Sequence, residues 1–92
     1  MQRRFWVYIL AGHKNGTLYT GVTNNLSERV FAHKEERGSA FTSKYGVKLL
    51  VYFEQFDHVN DAIDREKRLK RWRRQWKIEL IEKANPDWDD LY

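Results

Sequence analysis

Two charged side chains stand where helical periodicity calls for apolar ones. Arg29 comes three residues after Leu26, beside Val30 and four before His33, along the stripe that would face a sheet. Glu66 follows Ala62 by four and Ile63 by three and precedes Leu69 by three, which sets a carboxylate inside a second such stripe. Burying an unpaired carboxylate is expensive, so Glu66 requires a cation, hydrogen-bond donors or a metal. One solution is structural: an Arg29–Glu66 ion pair, or side chains that snorkel to the rim. The other is a functional site containing both. Tyr8 and Tyr19 favour the second only if they point into the same space, which strand alternation permits; tyrosines in strands are usually core.

A second feature is the distribution of charge. The net charge is a modest +4, but eight basic residues and one acid lie between Arg65 and Lys77. Trp72 and Trp76 interleave with them, a composition that suggests polyanion binding. The alternative is a solvated helix face, with both tryptophans closing helices onto a sheet. Residues 85–92 carry Asp87, Asp89 and Asp90 and no base.

The elements that must position these residues follow from pattern. Phe5–Ala11 alternates with both sides apolar, as in a strand covered on both faces. Asn15-Gly16 marks a turn, and Thr17–Val22 reads as the second strand of an antiparallel hairpin. Asn24 and Asn25 offer caps for a helix over 26–35, with Leu26, Val30 and Phe31 on its inner face. Gly38–Gly46 reads as a polar loop anchored by Phe41 and Tyr45, and Lys48–Phe56 as a third strand. Asn60 can cap a helical pattern that persists from Asp61 to Lys83, too long for one straight helix on so small a sheet. A break is expected near Trp72–Arg74, and Asn85-Pro86 ends the pattern. The order β-β-α-β-α-α gives an α/β (α+β) fold, with a small three-stranded antiparallel or mixed sheet carrying helices.

With that order in place, Val7-Tyr8-Ile9 followed by Tyr19-Thr20-Gly21 resembles the paired signature of the GIY-YIG nuclease domain, with Arg29 and Glu66 at matching places downstream. The resemblance covers nearly the whole chain and is strongest to the small single-domain bacterial UPF0213 group. It implies a metal-dependent endonuclease that hydrolyses DNA phosphodiester bonds. Glu66 would be the one protein ligand of Mg²⁺ or Mn²⁺, and Arg29 would grip the scissile phosphate. Tyr8 would be the general base, Tyr19 would orient the phosphate or a water, His33 would shuttle protons, and Gly21 would allow close approach of the backbone. Two departures weaken the expected activity. Val22 stands where many members have a Lys, and Ile78 where a polar Asn is often found. Catalysis would then lean on Arg29, His33 or Lys44.

By the same resemblance, nucleic acid, DNA foremost, would run over Lys44, Arg65, Arg68, Lys70, Arg71, Arg73 and Arg74, with salt-sensitive and weakly base-specific binding. The alternative is a nucleic-acid-binding module with little turnover; a further rival is an adaptor whose basic helix docks on an acidic partner. The 92 residues leave room for one domain, taken as 1–84 with a short acidic tail at 85–92. A monomer or weak homo-oligomer is expected, the tail being able to meet a neighbour's basic stretch. The absence of cysteine excludes a disulfide framework, a zinc ribbon and a thiol nucleophile and is compatible with the cytoplasm. No stretch approaches the ~20 apolar residues of a membrane span, and the basic start Met1–Arg4 lacks the pattern of a signal peptide.

Overall fold

The computed structural model describes residues 4–92; the basic start at 1–3 lies outside them. Three strands, β1 (Phe5–Ala11), β2 (Leu18–Thr23) and β3 (Leu49–Phe56), form an antiparallel sheet in the order β2-β1-β3. Central β1 is closed to solvent from Val7 to Ala11, because helices cover both of its faces. Tyr8 and Leu10 pack with Val30 of α1 (Leu26–Lys34) on one face. On the other, Val7 meets Ala62 and Leu69 of α3 (Val59–Arg71), and Ile9 and Ala11 meet Ile81 of α4 (Arg74–Ala84).

The long helical pattern breaks where expected. Trp72 and Arg73 adopt extended backbone with ψ of 148° and 146°, and no Gly or Pro is needed. Two contacts fix the corner: Trp72 packs into the α3 cluster, and Arg74 Nη2 donates to the hairpin carbonyls of Asn15 and Gly16 at 2.6 and 2.7 Å.

Several expectations need correction. The segment read as a loop contains a fourth helix, α2 (Ala40–Tyr45). Six residues cannot show apolar periodicity, and caps hold this helix instead. Ser39 Oγ accepts from the Thr42 amide, and Gly46 closes the far end in the left-handed region at φ 62°. Its buried neighbours are Thr42 and Val47, whereas the expected anchors Phe41 and Tyr45 are exposed. Helix α3 starts at Val59, behind His58, so Asn60 lies inside it and caps nothing. Phe31 and Trp76 are exposed, at 45% and 48%, with Arg37 and Arg73 lying over their rings.

Residues 85–92 pack onto the outer edge of β3. Trp88 is buried beside Ile9 and Ile81. Between Ile9 and Leu10 the β1–β3 register shifts by one residue, and the Val51 carbonyl accepts from Asn85 Nδ2 at 3.1 Å. Leu50 N donates to Asp90 Oδ1 and Leu91 N to the Leu50 carbonyl. The tail thus blunts an edge that would otherwise present unpaired groups. Of its acids, Asp90 is engaged within the chain, by Lys34 at 2.5 Å.

Candidate active site

Sheet register brings the two tyrosines together. Tyr8 stands opposite Gly21 and Leu10 opposite Tyr19, so both phenols leave the face under α1. Their ring centroids lie 6.3 Å apart. A Cβ at position 21 would overlap the Tyr8 hydroxyl and Cζ, so the Tyr8 ring lies across bare backbone that only glycine provides.

Arg29 and His33 project from one face of α1 onto these rings. His33 is fully buried, its centroid 5.8 Å from that of Tyr8 and 5.2 Å from that of Tyr19. Nε2 lies 3.0 Å from the Tyr8 hydroxyl oxygen and Nδ1 3.0 Å from Thr42 Oγ1. Burial, reinforced by the nearby Arg29 charge, lowers the His33 pKa to about 4, so the ring is neutral near pH 7. Arg29 Nη2 donates to the Gly38 carbonyl at 2.9 Å. Its guanidinium also faces both tyrosine oxygens, Tyr8 first, and these hold its pKa above the ordinary value. Burial pushes the Tyr8 phenol up; the nearby Arg29 guanidinium opposes this, while Tyr19 and Glu66 add to it.

Glu66 approaches from α3, which packs on the opposite side of β1 and β2, yet its charge acts on Tyr8. Its ion partner is Lys70 one turn on, at 2.9 Å; the Glu66 side chain is 14% exposed and that of Lys70 53%. The sequence-level alternative of an Arg29–Glu66 ion pair is thereby replaced, since each has other partners. Among the described residues no three His, Asp or Glu converge as a metal cage. A lone carboxylate such as Glu66 matches the ligand chemistry of a hard divalent ion that keeps most of its waters rather than that of a caged structural metal.

The two departures from the family pattern lie away from this cluster. Val22 pairs with Val7 and packs in the α3 core, on the face opposite Tyr8. Ile78 is packed with Ile9 and Val51 under α4.

The basic residues divide into groups. Arg65 is held by Glu54 through two hydrogen bonds, 2.9 and 2.8 Å, with Tyr52 on the same carboxylate. Arg74 braces the hairpin, Lys70 sits on Glu66, and Lys44 lies over the Tyr45 ring on α2. Arg68, Arg71 and Arg73 are exposed. The structure adds Lys77, which with Thr17, Leu18, Trp72 and Arg74 lines a cavity of about 430 Å³ at the free edge of β2. Burial, then repulsion from Arg74 and Lys70, lowers the Lys77 pKa. Thr42, Ser39 and Gly38 also escape the sequence reading, although Ser39 three residues before Thr42 is a legible capping signal.

A family model described as the GIY-YIG catalytic domain matches residues 4–79. The chain belongs to the GIY-YIG family. A UPF0213 protein of Clostridium perfringens is 43% identical over 76 residues, spanning 83% of this chain and 81% of that protein. Another from Pediococcus pentosaceus is 38% identical over 79 residues, 86% of this chain and 82% of its own length. The solution structure of a UPF0213 protein from Bacillus halodurans matches with a TM-score of 0.59 and 28% identity, over 95% of this chain and 92% of that one. As a GIY-YIG domain, the chain is a member of a nuclease superfamily whose substrates are nucleic acids. Among the described residues no helix is long and apolar enough to cross a membrane.

Proposed function

We propose that this GIY-YIG domain is a metal-dependent endonuclease that hydrolyses DNA phosphodiester bonds. The observation that carries the reading is the convergence of Tyr8, Tyr19, Arg29 and His33 on one point within reach of the Glu66 charge. An anionic phosphodiester resists attack unless its charge is neutralised and the nucleophile is deprotonated. Arg29 supplies the guanidinium fork for the scissile phosphate, beside a cavity of about 190 Å³ lined by Thr23, Asn24, Asn25, Glu28, Arg29 and Ala32. Glu66 would hold Mg²⁺ or Mn²⁺, which when bound adds positive charge at the phosphate and acidifies water. Tyr8 is assigned as general base because its hydroxyl lies 3.0 Å from His33 Nε2, within hydrogen-bond reach of an acceptor for its hydrogen. Tyr19, less buried and stacked on Phe41 at 6.1 Å, orients the phosphate. The exposed cations of α3 and α4, with Lys77, hold the flanking backbone.

A binding module with little turnover is the second reading, favoured by the upward shift of the Tyr8 pKa, which makes ionisation harder. Cleavage of linear, nicked, branched and single-stranded DNA with Mg²⁺ or Mn²⁺ separates the two. Glu66→Gln and Tyr8→Phe are each expected to lower cleavage by about 100-fold or more while retaining DNA affinity. DNA binding without cleavage by any preparation would transfer the assignment to the binding module; equal cutting by all three proteins would point to a contaminant.

A further inference from the structure

The stretch from Gly38 into α2 holds both of the α1 functional side chains, each by a residue nine positions downstream. Arg29 donates to the Gly38 carbonyl, and His33 Nδ1 meets Thr42 Oγ1. A Cβ on Gly38 would overlap the His33 ring, so the segment lies directly against the imidazole. Thr42 is fully buried, and its Oγ1 contacts three further groups of Ser39 and His33: Ser39 Oγ at 2.9 Å, the Ser39 carbonyl at 3.3 Å and His33 Nδ1 at 3.0 Å.

Counting donors and acceptors points this chain in one direction. Ser39 Oγ already accepts from the Thr42 amide, and its own hydrogen can go to Thr42 Oγ1. The Thr42 hydroxyl hydrogen is assigned to the Ser39 carbonyl at 3.3 Å, which can only accept and also takes the Ser43 amide. Thr42 Oγ1 is left as acceptor for an Nδ1–H of His33. The other end fits: with Nδ1 protonated, Nε2 can only accept, and the Tyr8 hydroxyl 3.0 Å away is its donor. Both ends are satisfied by one neutral tautomer.

From this we infer that Thr42 is a positioning residue, which fixes His33 as the Nδ1–H tautomer so that Nε2 offers its lone pair to the Tyr8 hydroxyl. The catalytic consequence rests on the proposed nuclease reading; the tautomer does not. If Tyr8 gives up its hydrogen, the proton goes to Nε2 along an existing hydrogen bond, the imidazole becomes cationic, and Nδ1–H remains bonded to Thr42.

The test is nitrogen-15 NMR of the His33 imidazole near pH 7 in wild type, Thr42→Val, Thr42→Ser and Ser39→Ala, with cleavage measured on the same samples. Wild type and Thr42→Ser should show Nδ1–H. Thr42→Val, nearly isosteric but without an acceptor, should shift His33 toward Nε2–H and lower kcat about 10-fold with KM unchanged. Should Thr42→Val fail to fold, Ser39→Ala still removes one donor to Thr42 and should give a smaller shift, and the wild-type spectrum decides the polarity by itself. An Nε2–H wild type, or a Thr42→Val protein that keeps Nδ1–H, overturns the inference. A tautomer change without a fall in kcat overturns the positioning role. Absence of cleavage in every protein, with the tautomers as expected, removes the nuclease reading and leaves the polarity standing.

Discussion

The two faces of β1 are equally dry and differently built. Tyr8 and Ile9 are adjacent, point to opposite faces and are both closed to solvent. Beneath Ile9 lies hydrocarbon: Ala11, Val51 and Ile81, continued by Val7, Ala62 and Leu69. Around Tyr8, a run of hydrogen bonds passes through His33 and Thr42 to Ser39, with Arg29 beside it. The first face is held by apolar area, which tolerates small displacements. The second joins an apolar patch of Leu10, Val30, Val47 and Leu50 to directional bonds among groups that would each be costly to bury alone. A small domain with one sheet can therefore assign stability to one face and a candidate active site to the other.

Truncations on the two faces give the largest expected effect. Leu69→Ala on α3 should lower unfolding free energy by about 2–5 kcal/mol, because a fully buried leucine leaves a cavity. Tyr8→Phe keeps the ring and removes one hydrogen bond, so its loss should be nearer ~1–2 kcal/mol even though His33 Nε2 loses its partner. Denaturant unfolding of both variants checks this. A Tyr8→Phe loss as large as that of Leu69→Ala would mean that the polar face carries the fold as well.

Acid should sharpen the contrast on a smaller scale. The His33 pKa lies at about 4 in the folded chain, below the ordinary 6.5, through burial and then Arg29. The unfolded chain therefore takes up a proton first, and the associated stability is full above pH 6.5 and falls away as the pH drops toward 4. Allowing for solvent screening at the mouth of the site, that loss is on the order of 1–2 kcal/mol. Unfolding of wild type and His33→Gln at pH 7.5 and 4.5 should show a narrower gap between them at the lower pH. A constant gap would show that His33 does not titrate as a buried neutral group.

The same division explains what was legible in the sequence. The Ile9 face announces itself through alternation in β1 and periodicity in α3, which are the signatures of area burial. Arg29 and Glu66 were visible as exceptions to that periodicity. The pairing of Tyr8 with Tyr19 depended on register, which alternation permits but does not fix. Thr42 and Ser39 belong to a six-residue helix made by its caps, so no periodic signal exists to find them. Trp88 escaped because composition marks 85–92 as acidic, while Asn85 and the register shift at Ile9/Leu10 that bring it onto the sheet are long-range features. Trp76 was misjudged because a large aromatic at helical spacing is ordinarily core, and here Arg73 covers a ring left outside.

The smallest effect separates cations by partner. Arg65 and Lys77 bound the same basic stretch, but Arg65 is neutralised by Glu54 in a fork, while Lys77 shares a cavity with Arg74 and is repelled by Arg74 and Lys70. A cation already paired neutralises a phosphate poorly and so displaces few of the counterions condensed on the nucleic acid, whereas one repelled by its neighbours gains by meeting a phosphate. Lys77→Gln should therefore weaken DNA binding about 3-fold and reduce the slope of log affinity against log salt by about one. It should leave stability unchanged or slightly raised, since it relieves like-charge repulsion. Arg65→Gln should do the opposite, leaving the salt slope nearly intact and lowering stability by about 1 kcal/mol as Glu54 loses its forked partner. Binding titrations of a fluorescent duplex in the Glu66→Gln background, at several salt concentrations, read both slopes without cleavage. Equal losses of slope in the two variants would show that the whole stretch acts as one diffuse field; unequal ones would show that carboxylate pairing selects which cations the nucleic acid can use.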